Sequence, residues 1–137
     1  MINRISAFML AAALALPVFA AKEKFKTMHA GDLAAALKSP TPPKVYDANN
    51  QGTRDKYGVI PGAVLLTSSK KYDAAKVLPA DKKTPLVFYC ANTMCLASHQ
   101  AADKALAAGY RDVSVMVDGI MGWKDAGQPT APAPKKG

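Results

Sequence analysis

Two cysteines, Cys90 and Cys95, are the only thiols in this 137-residue chain, and a histidine, His99, follows four residues after the second. Cys90 comes directly after Leu86-Val87-Phe88-Tyr89, a short apolar run bounded by Pro85. That pattern predicts a strand buried on both faces of a parallel sheet. From Leu96 onward, apolar and small residues (Ala97, Ala101, Ala105, Leu106, Ala108) recur at three- and four-residue spacing and stop at Gly109, which predicts a helix with a glycine after its last turn. Cys90 is thereby placed in the turn between a buried strand and a helix N-terminus, where free N–H groups and the helix dipole favour an anion. A thiol there ionises below the reference value of about 8.5, and the thiolate is the nucleophile. Position alone fits a second reading equally well, because a free cysteine is also a small, easily buried apolar residue.

Cys95 admits three readings: a disulfide partner, a resolving thiol for Cys90, or an inert residue. A bridge would close a very small ring, so a purely structural disulfide is the least attractive of them. Cys90, Cys95 and His99, with Met94 nearby, are also a set of soft ligands. Their spacing is not a strong metal signature, and a histidine on a helix is more often exposed than ligating. No metal and no cofactor are assigned.

Several short elements surround this stretch. Phe25 to Met28 reads as an edge strand, Asp32 to Lys38 as an alanine-rich helix, Val45 to Ala48 and Ala63 to Leu66 as strands, and Tyr72 to Val77 as one or two helical turns. Asn49 to Gly58 is polar and charged and reads as a turn. Val113 to Val117 is a further β-branched run, and a short helix begins near Asp118. Strands alternating with helical segments predict an α/β fold with a mainly parallel sheet. Ligands of such sheets bind beyond the carboxyl ends of the strands, which is where Cys90 lies.

At the N-terminus, Arg4, the apolar stretch Ile5 to Leu16 and Pro17-Val18-Phe19-Ala20 have the three-part pattern of a secretory signal peptide. Cleavage is expected after Ala20, giving an exported protein, in the periplasm of a bacterium, with no stable membrane anchor after processing. An uncleaved anchor is the alternative. The formal net charge of +8 falls to +7 when Arg4 is removed. One domain of ordinary size, residues 21–127, fits the remainder, and 128–137, rich in Pro, Ala and Lys, is expected to be a disordered tail. The lysines are scattered with few interleaved aromatics, so the charge reads as a solvated basic surface suited to an acidic partner protein or small anions, and not to nucleic acid.

Five segments in order carry a family resemblance: Val45-Tyr46-Asp47, Gly58 to Ala63, Val87 to Cys90, Ala108-Gly109-Tyr110, and Gly119 to Trp123 with Ala126 to Pro129. Together they resemble the signature segments of the rhodanese (sulfurtransferase) domain over about Phe25 to Thr130. The resemblance implies a rhodanese-like α/β domain, a five-stranded mainly parallel sheet with helices on both faces, and a catalytic cysteine at Cys90. That residue would carry a sulfane sulfur as a persulfide, taken from a small sulfur donor and passed to a thiol acceptor. Ala91, Asn92, Thr93, Met94, Leu96, Ala97 and Ser98 would form the substrate-binding loop. Read from their own positions, Cys95 is a candidate resolving thiol, and Asp47 either accepts hydrogen bonds from a neighbouring loop as a structural residue, as Trp123 packs in the core, or supports the cysteine loop from behind; the alternatives for the whole are a thiol-redox pair or a non-catalytic binding module.

The chain also departs from the family pattern. Its loop lacks the usual glycine and arginine between the cysteine and the helix and is about two residues longer. Asn49 stands where an arginine often follows the strand aspartate, Val59 where a histidine is common, and Asp118 where a first glycine is usual. Phosphatases of this fold hold phosphate with a loop arginine, so the missing arginine argues against that activity.

Overall fold

The computed structural model describes residues 24–135, so the expected signal peptide lies outside the described residues. In chain order the elements are β1 (Lys26–Met28), α1 (Ala30–Leu37), β2 (Lys44–Asp47), α2 (Gln51–Tyr57), β3 (Val64–Leu65), α3 (Ala74–Val77), β4 (Leu86–Tyr89), α4 (Ala97–Ala107), β5 (Val113–Met116) and α5 (Gly119–Asp125). The strands form one sheet in the order β1-β5-β4-β2-β3, and every pairing is parallel. The expected α/β fold is therefore the observed one.

β4 sits at the centre, and its side chains alternate between two cores. Leu86, Phe88 and Cys90 join the core that includes Ala101, Ala102 and Ala105 of α4, while Val87 and Tyr89 join the core of Leu33 from α1 and Ile120 and Trp123 from α5. All four strand residues are buried, the consequence of placing an apolar run between two helical layers.

Two segments differ from the sequence reading. The polar stretch after β2 is not a turn but helix α2, although Arg54 is its only buried residue. An apolar stripe is absent, so periodicity gave no sign of it. The helix is held instead by the Asn50 side chain, which accepts from Thr53 N at 2.9 Å, and by the inward-facing Arg54. The described part of the tail is docked rather than free. Ala131 exchanges two backbone bonds with Val59, at 2.8 and 2.9 Å, and the Trp123 indole donates to Pro129 O at 2.7 Å. Low apolar content predicts little burial, but it does not count backbone bonds that an edge segment such as Val59 can accept.

Candidate functional site

Cys90 follows β4 at its carboxyl end and is 1% exposed. Its sulfur lies 3.3 Å from Ser98 Oγ, in the first turn of α4, and 3.3 Å from the Cys95 carbonyl oxygen. No side chain caps α4, so its first N–H groups are not engaged by a cap. The sulfurs of Cys90 and Cys95 are joined as a disulfide, with Cα atoms 6.3 Å apart. Cys95 is half-buried. Between the cysteines, Asn92 folds the loop: its Oδ1 accepts from Met94 N at 3.0 Å and its carbonyl accepts from Cys95 N at 3.2 Å. Thr93 is exposed, and Met94 and Leu96 project into solvent at 87% and 63% exposure. Ala91 and Ala97 are partly covered, and Ser98 is buried.

Helix α5 fixes the near side of the loop. Ile120 N donates to Cys90 O at 2.8 Å and Met121 N to Ala91 O at 3.0 Å, so the first amides of one helix hold the chain where it leaves the central strand. Gly119 makes this approach possible. Its φ is +66°, and a Cβ there would land on the Ala91 carbonyl and on Asn92 N. In sequence this segment reads only as a helix start and a family signature, and the clamp does not show there because the contact joins residues about thirty positions apart.

Asp47 is fully buried. It accepts from Tyr89 Oη at 2.6 Å, Asn49 N at 2.7 Å and Arg54 Nε at 3.1 Å. Arg54 Nη2 also donates to the carbonyls of Asp47 and Leu66. Arg54 thus supplies, seven residues after Asp47, the cation that Asn49 does not. The phenol of Tyr89 is pushed well above its ordinary range by burial, and the Asp47 carboxylate adds to the shift. Asp47 reaches the cysteine only through the chain of Tyr89, the residue before Cys90.

Beyond the carboxyl ends of β2, β3 and β4 lies a cavity of about 350 Å³. Asn49, Asn50, Thr67 and Ser68 form its polar wall, and Ala91 and Cys95 close it on the loop side. Cys90 is not part of the lining. A larger cavity of about 650 Å³, near Lys56, Lys124 and Lys135, holds no residue of the cysteine loop.

The two histidines have other roles. His29 Nδ1 lies 2.9 Å from Asp118 Oδ1, and Ala30 N donates to Asp118 Oδ2 at 2.7 Å, so Asp118 closes the start of α1. Asp118 raises the pKa of His29 through its hydrogen bond and charge. Partial burial works to raise the pKa of Asp118, but the bonds from His29 and Ala30 outweigh it and hold the carboxyl below its usual range. His99 packs edge-on against Phe25, with ring centroids 5.1 Å apart. Among the described residues no group of three or more His, Cys, Asp or Glu is placed to hold a metal, and no helix is long and apolar enough to cross a membrane.

A parallel sheet covered by helices on both faces, with a thiol loop leaving its central strand, defines a small α/β thiol-loop domain. The rhodanese-like domain model matches residues 29–126, and the chain belongs to that family. Among solved structures, the rhodanese-like domain of an Anabaena protein superposes with a TM-score of 0.63 at 23% identity, covering 81% of this chain and 80% of that one. A Rhodopseudomonas palustris protein of unknown function, described as a possible tyrosine phosphatase, gives 0.63 at 25% identity, covering 78% of this chain and 85% of that one. A thiosulfate sulfurtransferase from Pseudomonas aeruginosa gives 0.65 at 21% identity; 82% of this chain is covered but only 21% of that one. No curated protein matches the chain.

Proposed function

We propose that this protein is an exported sulfurtransferase that carries sulfane sulfur as a persulfide on Cys90 and discharges it through Cys95. The observation that carries the reading is the position of Cys90 at the end of the central strand, against the uncapped start of α4, with the Cys95 sulfur within bonding reach. In the reduced state the Cys90 thiolate attacks the outer sulfur of a donor persulfide. A Cys90 persulfide forms, and the donor leaves as its thiolate. The Cys95 thiolate then attacks Cys90 Sγ. A disulfide forms between the cysteines, and the sulfane sulfur leaves as hydrosulfide, having accepted the electron pair that the two thiolates give up. The start of α4 favours the thiolate of Cys90 and the charge of its persulfide.

The loop also indicates the kind of donor. No residue from Ala91 to Ser98 is cationic, and Arg54, the buried arginine, is committed to Asp47 and Leu66. A charge-assisted bond to an anionic donor is worth roughly 1.5 to 3 kcal/mol, so its lack weakens thiosulfate binding by about tenfold to a hundredfold. A persulfide or thiol-linked donor, including one borne by an acidic protein, fits better. The disulfide itself favours one second reading, in which Cys90 and Cys95 act as a dithiol-disulfide redox pair without sulfur transfer.

Mass spectrometry of the reduced protein separates the two. After glutathione persulfide, Cys95→Ala gains one sulfur on Cys90, and wild type instead forms the disulfide and releases sulfide. Cys90→Ser does neither. Absence of any sulfur gain in Cys95→Ala, or efficient thiosulfate:cyanide transfer indifferent to Cys95, overturns the sulfurtransferase reading as stated.

A further inference from the structure

The discharge step leaves the protein oxidised, and a reductant must reopen it. The two sulfurs of the disulfide are not equivalent to an incoming group. Cys90 is 1% exposed and packed into the core beside α4, whereas Cys95 is half-buried and lines the cavity beyond the strand ends. The walls of that cavity carry amides and hydroxyls and no formal charge among Asn49, Asn50, Thr67, Ser68 and Ser69. Several acceptors there are already used. Asn50 Oδ1 takes Thr53 N, and Ser68 Oγ takes Lys70 N and Lys71 N at 3.3 and 3.2 Å. Asn49 Nδ2, the single buried side-chain N or O atom without a partner among the described residues, is itself covered, so the groups left open to a ligand are neutral amides and hydroxyls. Neutral polar walls beside Cys95 suit a small polar thiol that needs no charged partner to enter. At about 350 Å³ the cavity has room for a small ligand.

We infer that the cavity is the entry site for a small polar thiol and that this thiol attacks Cys95, not Cys90. This rests on the proposed sulfur transfer for its place in the cycle. The incoming thiolate bonds to Cys95 Sγ, and the Cys90–Cys95 bond breaks. Its electron pair leaves on Cys90, whose sulfur lies 3.3 Å from Ser98 Oγ at the start of α4. A second thiol then displaces Cys95 from the mixed disulfide. The reductant leaves as its own disulfide, both protein thiols are regenerated, and the two electrons come from the two thiols. The division of labour is that Cys95 meets the reductant and Cys90 is the stabilised leaving group.

The test maps the attacked sulfur on the oxidised full chain. The protein is mixed with excess glutathione, freed thiols are blocked at short times with N-ethylmaleimide, and the peptide containing both cysteines is fragmented. Sulfite in a parallel arm marks the same sulfur with an adduct that persists when the glutathione adduct is too short-lived to collect. The expected result is glutathione or sulfonate on Cys95 and maleimide on Cys90, in a ratio of at least tenfold. Adducts chiefly on Cys90, or evenly divided, overturn the inference. Ser68→Phe, which fills the cavity, should slow opening by glutathione at least tenfold, and an unchanged rate overturns the cavity as the route. A Cys95 adduct in a protein that never gains sulfur leaves the entry route standing and sinks only the sulfur-transfer reading.

Discussion

The Asp47 carboxylate accepts three hydrogen bonds near the thiol loop, and none of them comes from a cysteine. Its work is to hold Arg54 and Tyr89 in place without solvent. Removing one partner of a buried ion pair leaves the other charge uncompensated, so Arg54→Met should lower stability by about 3 to 5 kcal/mol in chemical denaturation. Tyr89→Phe, which removes one donor to Asp47 and one acceptor for Ile60 N, should cost about 1 to 3 kcal/mol. At the surface, His29 and Asp118 form a pair with a definite pH signature. The pKa of His29 is raised from 6.5, so its contribution is fully present below that value and is lost as pH rises through the raised one. The pKa of Asp118 is lowered from 3.8, so its contribution is present above that value and is lost as pH falls through the lowered one. The stability difference between wild type and His29→Ala should therefore be largest between these limits and shrink in mild alkali. Thermal melts across the range read this directly.

At the scale of elements, the cysteine loop depends on the start of α5. Gly119→Ala would push a methyl group into the Ala91–Asn92 backbone at a positive φ, two penalties that together cost about 1 to 3 kcal/mol or more. Because the clash falls on the loop, sulfur loading of Cys90 should drop further than the melting temperature alone would suggest, with comparison of the two in the same variant as the check. The tail is the second such element. A chain ending at Gln128 loses the two Val59–Ala131 backbone bonds and the bond from the Trp123 indole, and at about 1 kcal/mol each it should lose about 2 to 4 kcal/mol. An unchanged denaturation midpoint would show that the strap contributes nothing.

For the whole molecule, the expectation is export, and it rests on the pattern of residues 4–20. Intact mass of the protein recovered from its native compartment should correspond to a chain beginning at Ala21, and a chain beginning at Met1 would contradict it. Such processing would leave the net charge at +7. A surface of that sign would draw an acidic partner at long range, and screening over about 8 Å at physiological salt would make such encounters slower as salt is added. Donor transfer from an acidic protein should fall with ionic strength, whereas transfer from a neutral low-molecular-weight persulfide should not.

Much of this was legible in the residues themselves. The run from Leu86 to Tyr89 announces a buried central strand because burial on both faces demands continuous apolarity, and Cys90 inherits its place at the strand end from the chain alone. The five family segments did the same for the order of elements. Tertiary structure decided what depends on contacts distant in sequence. Helix α2 has no apolar stripe and exists because Asp47 and Leu66 receive Arg54. The described part of the tail is held by Val59 and Trp123. Gly119 matters because the Ala91 backbone lies against it. Which cysteine faces the cavity was likewise undecidable from spacing. Five residues allow either sulfur to point outward, and only the packing of Cys90 beneath α4, with Cys95 left at the wall shared with Asn49 and Ser68, settles the question.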